Sequence, residues 1–250
     1  MRGNRLALVT AFAGVALLSW VVLAQEAAAP QTTEDAWFVY SMEGKACGYL
    51  HMAKKVSGEE AASVLFVHDL AINEMGNRYL LHMQTFCKDD AYFSPVRMLY
   101  KLEGTEAYNI EATIERPAEG PSAGKLKTTG DRKVEMDIPE HTVVDFALFE
   151  IVRALPFDKD KVFEFNWVNA IDLGHPYVRR DQKVAYVGRE ELEIGGEKHT
   201  LHKFEQKGQV IRSIYCWVRD DRQLVRILWD GREEFVLSTK EKALAALKAE

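Results

Sequence analysis

Apolar and polar side chains alternate at every second residue through most of this chain. That rhythm admits few solutions other than antiparallel strands with one buried and one solvated face. It is clearest between Val210 and Thr239, where three β-rich runs are joined by the polar turns Arg219–Arg222 and Asp230-Gly231. Asp-Gly favours a two-residue hairpin loop, because both central residues need positive φ. Upstream the grammar repeats. Val96, Met98, Tyr100 and Leu102 share one face of a run, and Arg97 and Lys101 the other. Tyr108, Ile110, Ala112 and Ile114 oppose Asn109, Glu111, Thr113 and Glu115 in the next. In the hairpin expected over Lys125–Ile138, Val134, Met136 and Ile138 oppose Lys133, Glu135 and Asp137. Further strands are expected over Trp37–Met42, Ala46–Val56, Ala62–Ile72, Tyr79–Cys87, Val162–Val168, Tyr177–Val187, Glu190–Ile194 and Lys198–Lys207. Gly48, inside one of these, marks a bulge or a close backbone approach. About a dozen strands result, with turn signals every 8–12 residues or so and no strand–helix alternation, which points to a sandwich or barrel.

One segment breaks the rhythm. From Phe146 to Leu155 apolar residues occupy nearly every side, interrupted mainly by Glu150 and Arg153, and Pro156 follows. This predicts a short, largely buried helix that ends before the proline. Thr142 to Asp145 reads as its lead-in. A second helix is expected over Lys240–Glu250, with Thr239 as N-cap and a narrow stripe of Ala243, Leu244 and Leu247 packing on an edge. The expected fold class is therefore mainly β. It is a large curved antiparallel sheet, an open or half barrel, with a short buried helix in its concavity and a C-terminal helix.

The N-terminus carries Arg2 and Arg5, then an uncharged run from Leu6 to Ala24, with Val22-Leu23-Ala24 offering a small-residue cleavage site before Gln25. Residues 1–24 read as a signal peptide and imply export to the periplasm or cell envelope. The competing reading is an uncleaved anchor, since the run is long enough to span a bilayer. Residues 25–35 read as a flexible lead-in, and 36–250 as a single antiparallel domain. Removing the leader with its two arginines takes the net charge from −6 to −8. An acidic chain without a dense basic stripe argues against nucleic acid as a partner. Export also allows thiols to pair. Of three cysteines, Cys47, Cys87 and Cys216, at least one must stay free. Either none is paired, or Cys47 pairs with Cys87, whose runs are separated by one strand. Cys216, between Tyr215 and Trp217, lacks the positive surroundings that would activate a nucleophile.

The order of certain features resembles a known group. These are the buried helix ending in Leu155-Pro156, the Gly-Arg-Glu-x-Leu-x-Ile-Gly-Gly run at Gly188–Gly196, and Trp-x-x-Asp-Asp-Arg-Gln-Leu-Val-Arg-Ile at Trp217–Ile227. Together they resemble a family of uncharacterised exported β-sheet proteins, a domain of unknown function in bacterial envelopes. Its architecture is similar to that of the open-barrel carriers of lipoproteins and lipids. The resemblance implies a periplasmic half-barrel, leaves the ligand open and carries over no catalytic or binding residue.

Chemistry-bearing clusters are few. If Asn73–Asn77 turns tightly, His68 and His82 fall on adjacent strands with His51 one strand further, a set that three-coordinate zinc binding would use. The alternative is cross-strand polar pairing, because a slip of one residue sends a side chain to the other face. Asp89-Asp90, Asp220-Asp221 and Glu190-Glu191 sit in or beside expected turns, where a short carboxylate caps backbone. No Gly-x-Ser-x-Gly, phosphate loop or His-Glu-x-x-His occurs, so no enzymatic activity, metal or cofactor is expected. Aromatic residues make up 10% of the chain and are the remaining clue. Phe163, Phe165 and Trp167 share one face of a strand, and Tyr215 and Trp217 share one of another. They read either as plain core or as the lining of a site for a lipid or other apolar ligand. A hollow of roughly 300 Å³ or more among them would mark a ligand site. A solid core with an uncovered edge strand would instead favour an envelope protein partner pairing by strand addition.

Overall fold

The computed structural model describes residues 32–248 apart from 60–61, 75, 105–106, 117–122, 145, 170–176 and 209–212. The expected signal peptide, and the lead-in up to residue 31, lie outside the described residues. Among the described residues fifteen strands and two helices follow one another. The first eight strands are β1 (Thr32–Met42), β2 (Lys45–Glu59), β3 (Ala62–Glu74), β4 (Asn77–Cys87), β5 (Pro95–Glu103), β6 (Tyr108–Glu115), β7 (Gly124–Gly130) and β8 (Glu135–Ile138). After β9 (Thr142–Val144) and helix α1 (Ala147–Ala154) come β10 (Val162–Asn169), β11 (Tyr177–Ile194) and β12 (Glu197–Lys207). The chain ends with β13 (Ile214–Val218), β14 (Leu224–Trp229), β15 (Glu233–Ser238) and helix α2 (Lys240–Ala246).

All strands belong to one sheet, in the order β8-β7-β6-β5-β4-β3-β2-β1-β15-β14-β13-β12-β11-β10-β9. The result is mainly β, as the alternation predicts, and the sheet curls into a nearly closed barrel. Its topology is a meander whose two ends meet in the middle: β1 zips antiparallel to β15, Trp37 opposite Ser238 and Met42 opposite Glu233. The seam falls between β8 and β9, which are consecutive in sequence but not hydrogen-bonded neighbours. β9 pairs parallel with β10, and every other pairing is antiparallel.

Local chemistry accounts for the hairpins. Both residues of Asp230-Gly231 have positive φ, 56° and 69°, as the dipeptide predicts. Gly195-Gly196, at 62° and 86°, turns β11 into β12 in the same way. Gly48 does both things expected of it. The β1–β2 register shifts beside it, between Tyr40 and Ser41, and a Cβ there would lie 2.0 Å from the Ala71 carbonyl oxygen.

The period of two sorts side chains between the barrel's inside and outside. The interior cluster takes alternate residues from most strands, among them Phe38, Leu50, Met52, Phe66, Met98, Ile110, Val184, Phe204 and Ile227, together with α1. Residues 147–152 of α1 are all buried. Leu155, held extended before Pro156 at φ −65° and ψ 144°, ends the helix as expected. Two smaller apolar clusters lie on the opposite face, one around Leu65, Val67 and Phe86, the other around Leu201, Trp217 and Val225.

Several expectations are corrected. Thr32–Asp35, expected as flexible lead-in, belong to β1. Thr142–Val144, expected to lead into the helix, form β9, because they find a partner in β10. Tyr177–Val187 and Glu190–Ile194 are one strand, carried through Gly188 at φ 146°. Glu190 and Glu191 therefore lie within a strand, not at a turn. α2 packs across β1 and β2, in the middle of the sheet, not on an edge. All three cysteines are buried, and none of them is in a disulfide. Cys47 opens β2 whereas Cys87 closes β4, which runs in the same direction. Cys87 faces Val64, itself opposite Val56, so about nine residues, or roughly 30 Å, separate the two thiols along the strands.

Candidate functional site

A cavity of about 250 Å³ opens into the barrel beside the last turn of α1. The alternation of three adjacent strands supplies its apolar wall: Phe38 from β1, Met52 from β2 and Phe66 from β3. Lys54 and His68, each two residues further along the same inner rows, add polar groups to it. α1 contributes Glu150 and Arg153, one turn apart on a helix that is otherwise apolar. The β13–β14 turn closes the rim with Asp221 and Gln223, and the start of β1 with Glu34 and Asp35.

The polar rim is tied together. One guanidinium nitrogen of Arg153 donates to both oxygens of Glu150, at 3.0 and 2.9 Å, and also meets Glu34. Its Nε donates to the Arg222 carbonyl at 2.9 Å. Arg222 donates to the Leu155 carbonyl at 2.5 Å and lies 3.8 Å from the centre of the Phe157 ring. Phe157 stacks in turn on His202 at 3.4 Å, with His202 Nε2 2.7 Å from Asp220. The segment after α1 is thereby clamped between the helix and the β13–β14 turn.

Burial sets the charge states inside. It pushes the Glu150 carboxyl up to about 7, against the opposing charge of Lys54. Burial also drives His68 down to about 3, so its imidazole is neutral across the physiological range. His68 is 3% exposed, packed against the rings of Phe66 and Phe146, and has no hydrogen-bond partner among the described residues.

His51, His68 and His82 do not converge on one face as a shared zinc ion would require. His68 faces inward, opposite Met83, and Asp69 takes the outward position between His51 and His82. That is the one-residue slip to which strand geometry is sensitive. Asp69 accepts from His51 Nδ1 at 3.0 Å and from His82, and His51 Nε2 reaches Asp35 at 2.7 Å. Trp37 stacks on His51 with centroids 4.2 Å apart. The paired aspartates act as turn caps: Asp90 accepts from Tyr92 and Ser94, both at 3.0 Å, and Asp221 from Gln223 at 3.0 Å.

The five aromatic candidates are divided between the two faces. Phe165 and Trp167 are buried inside, and Phe163 packs against the same cluster. Neighbouring rings fill the space around them, Tyr92 on Phe163 at 5.0 Å and Trp229 on Trp167 at 5.4 Å. Tyr215 and Trp217 lie outside, because Ile214, Cys216 and Val218 take the inward positions of β13. There Lys203 covers both rings, at 4.7 and 5.2 Å, and Trp217 donates to Glu190 at 2.8 Å. The cavity thus lies away from all five. Of the residues that line it, the sequence marked Glu150 and Arg153 as a polar pair inside an apolar helix, and His68 and Asp221 for other roles.

Comparison with known proteins supports the architecture. No family model matches the chain, and no curated protein matches it. Among solved structures it is similar to a β-barrel-like protein of a domain of unknown function, DUF1849, from Brucella abortus. The TM-score is 0.53 at 10% identity, covering 82% of this chain and 95% of that one. The two chains share a fold. An uncharacterised β-barrel family is what the order of turns and helix resembles, and the barrel agrees with it.

Proposed function

We propose that the chain is a non-enzymatic binding protein of the cell envelope that holds the apolar part of a ligand inside the barrel, beside α1. The observation that supports this is the cavity itself, where Phe38, Met52 and Phe66 form an apolar wall beside a few charged and polar side chains. Binding sites generally pair an apolar lining with a few placed polar groups. At about 250 Å³ the hollow is smaller than the roughly 300 Å³ expected of a site for a whole ligand, and suits a small ligand or one end of a longer one. The alternative is strand addition by a partner chain, and among the described residues the sheet ends in β8 and β9. These edges are four and three residues long, and β9 is wholly buried. Short edges of this kind are how sheets discourage pairing.

Native mass spectrometry of the protein purified from its own envelope tests the reading. A bound lipid-like mass is expected, lost on delipidation and missing from Met52→Trp, whose indole fills the cavity. Delipidation that releases nothing, with a stoichiometric protein recovered by pull-down, overturns it in favour of strand addition.

A further inference from the structure

We propose that the ligand presents an uncharged ester or amide carbonyl to His68, at the head of an acyl chain lying against Phe38, Met52 and Phe66. The inference rests on the binding function above and names the ligand class for the same cavity.

A buried polar group without a hydrogen bond is costly, and native interiors seldom leave one so. His68 is such a group: 97% of its surface is covered, it borders the cavity, and no atom of the described residues bonds its ring. A neutral imidazole offers one N–H donor and one lone pair, the complement of an uncharged polar group. The charges around the mouth favour the same class. Glu34, Asp35, Glu150 and Asp221 oppose an anionic head, and the Arg153 guanidinium is already committed to Glu34 and Glu150. An ammonium head would be drawn by the same carboxylates but would also meet Lys54, which has no carboxylate partner among the described residues and rests 5.0 Å from the Phe93 ring. An uncharged carbonyl meets neither obstacle, and it leaves the acyl carbons on the apolar wall.

Calorimetric titration of the full chain with four probes of one chain length tests this: monooctanoylglycerol, N-octanoylglycinamide, octanoate and octylamine. The ester and the amide are expected to bind at least about tenfold more tightly than the two charged probes. In His68→Phe that preference should disappear. Ester over amide assigns a free acylglycerol as the source, and amide over ester an N-acylated chain; either order supports the proposal. Imidazole 15N spectra of the unmodified chain provide a second readout that does not depend on the variant folding. The His68 ring signals should move on saturation with the ester. Four probes within about threefold of one another, or an unmoved His68 signal, overturns the carbonyl assignment while leaving the binding function standing. If no probe binds at all, both fall.

Discussion

Asp69 ties two histidines on neighbouring strands to one carboxylate, and this couples the sheet to pH. Burial works against ionisation of Asp69, but the hydrogen bonds from His51 and His82 outweigh it and hold its carboxyl far below the usual range. At His51 burial works to lower the pKa, and the bonds to Asp69 and Asp35 outweigh it and raise it. The two signs differ. A depressed carboxylate stabilises the fold above its unfolded value, about 3.9, and the contribution is lost as pH falls through the folded pKa. A raised histidine stabilises below about 6.5, and the contribution is lost as pH rises through the folded pKa. The relay is therefore complete between about pH 4 and 6.5. Asp69→Asn should cost about 1–3 kcal/mol in that window and flatten both limbs of the stability profile, measured by urea unfolding from acid to alkaline pH. An unchanged profile would show that the relay contributes nothing. At Gly48 steric contact decides, because a Cβ would meet backbone that cannot swing away. Gly48→Ala is expected to cost about 2 kcal/mol or more by the same assay. Gly48 was legible in the sequence as a lone glycine within a strand. Asp69 was not, because whether residue 68 or residue 69 faces His82 depends on register, which the hairpin loop sets and composition does not.

At the scale of elements, α1 is the part that the rest of the barrel surrounds. Its apolar circumference announced burial, and Pro156 announced its end. Phe149, 1% exposed and packed on Phe146, is among its largest buried side chains. Phe149→Ala should destabilise by about 3–5 kcal/mol, seen as a lowered urea midpoint with an unchanged slope. A loss within experimental error would mean that the helix is not a core element. The strands that were misjudged failed for identifiable reasons. β9 has three residues, too few to display a period, and β11 is carried through Gly188 where a glycine ordinarily signals a break. α2 carries a stripe narrow enough for an edge. Its fully buried Ala243 allows it to sit close against β1 and β2 instead.

For the whole molecule, alternation and turn chemistry foretold one antiparallel barrel-like sheet around a helix. They did not foretell the zipping of β1 to β15 that nearly closes it, since that pairing joins the two ends of the described chain and has no local signature. The candidate site was largely illegible for the same reason. Phe38, Met52, Phe66, Glu150 and Asp221 come from five elements and meet only when the sheet curls round α1. The aromatic residues singled out instead were read strand by strand. A period of two states that Tyr215 and Trp217 share a face, but not that the face is the outer one. The central claim is that the hollow beside α1 receives a ligand. The methionine 13C-methyl NMR spectrum during titration with lipid extracted from the protein's own envelope tests it most directly. The Met52 methyl should shift and saturate while that of Met98, buried elsewhere in the core, stays still. No shift at Met52, with saturable shifts confined to outer-face residues, would contradict the account.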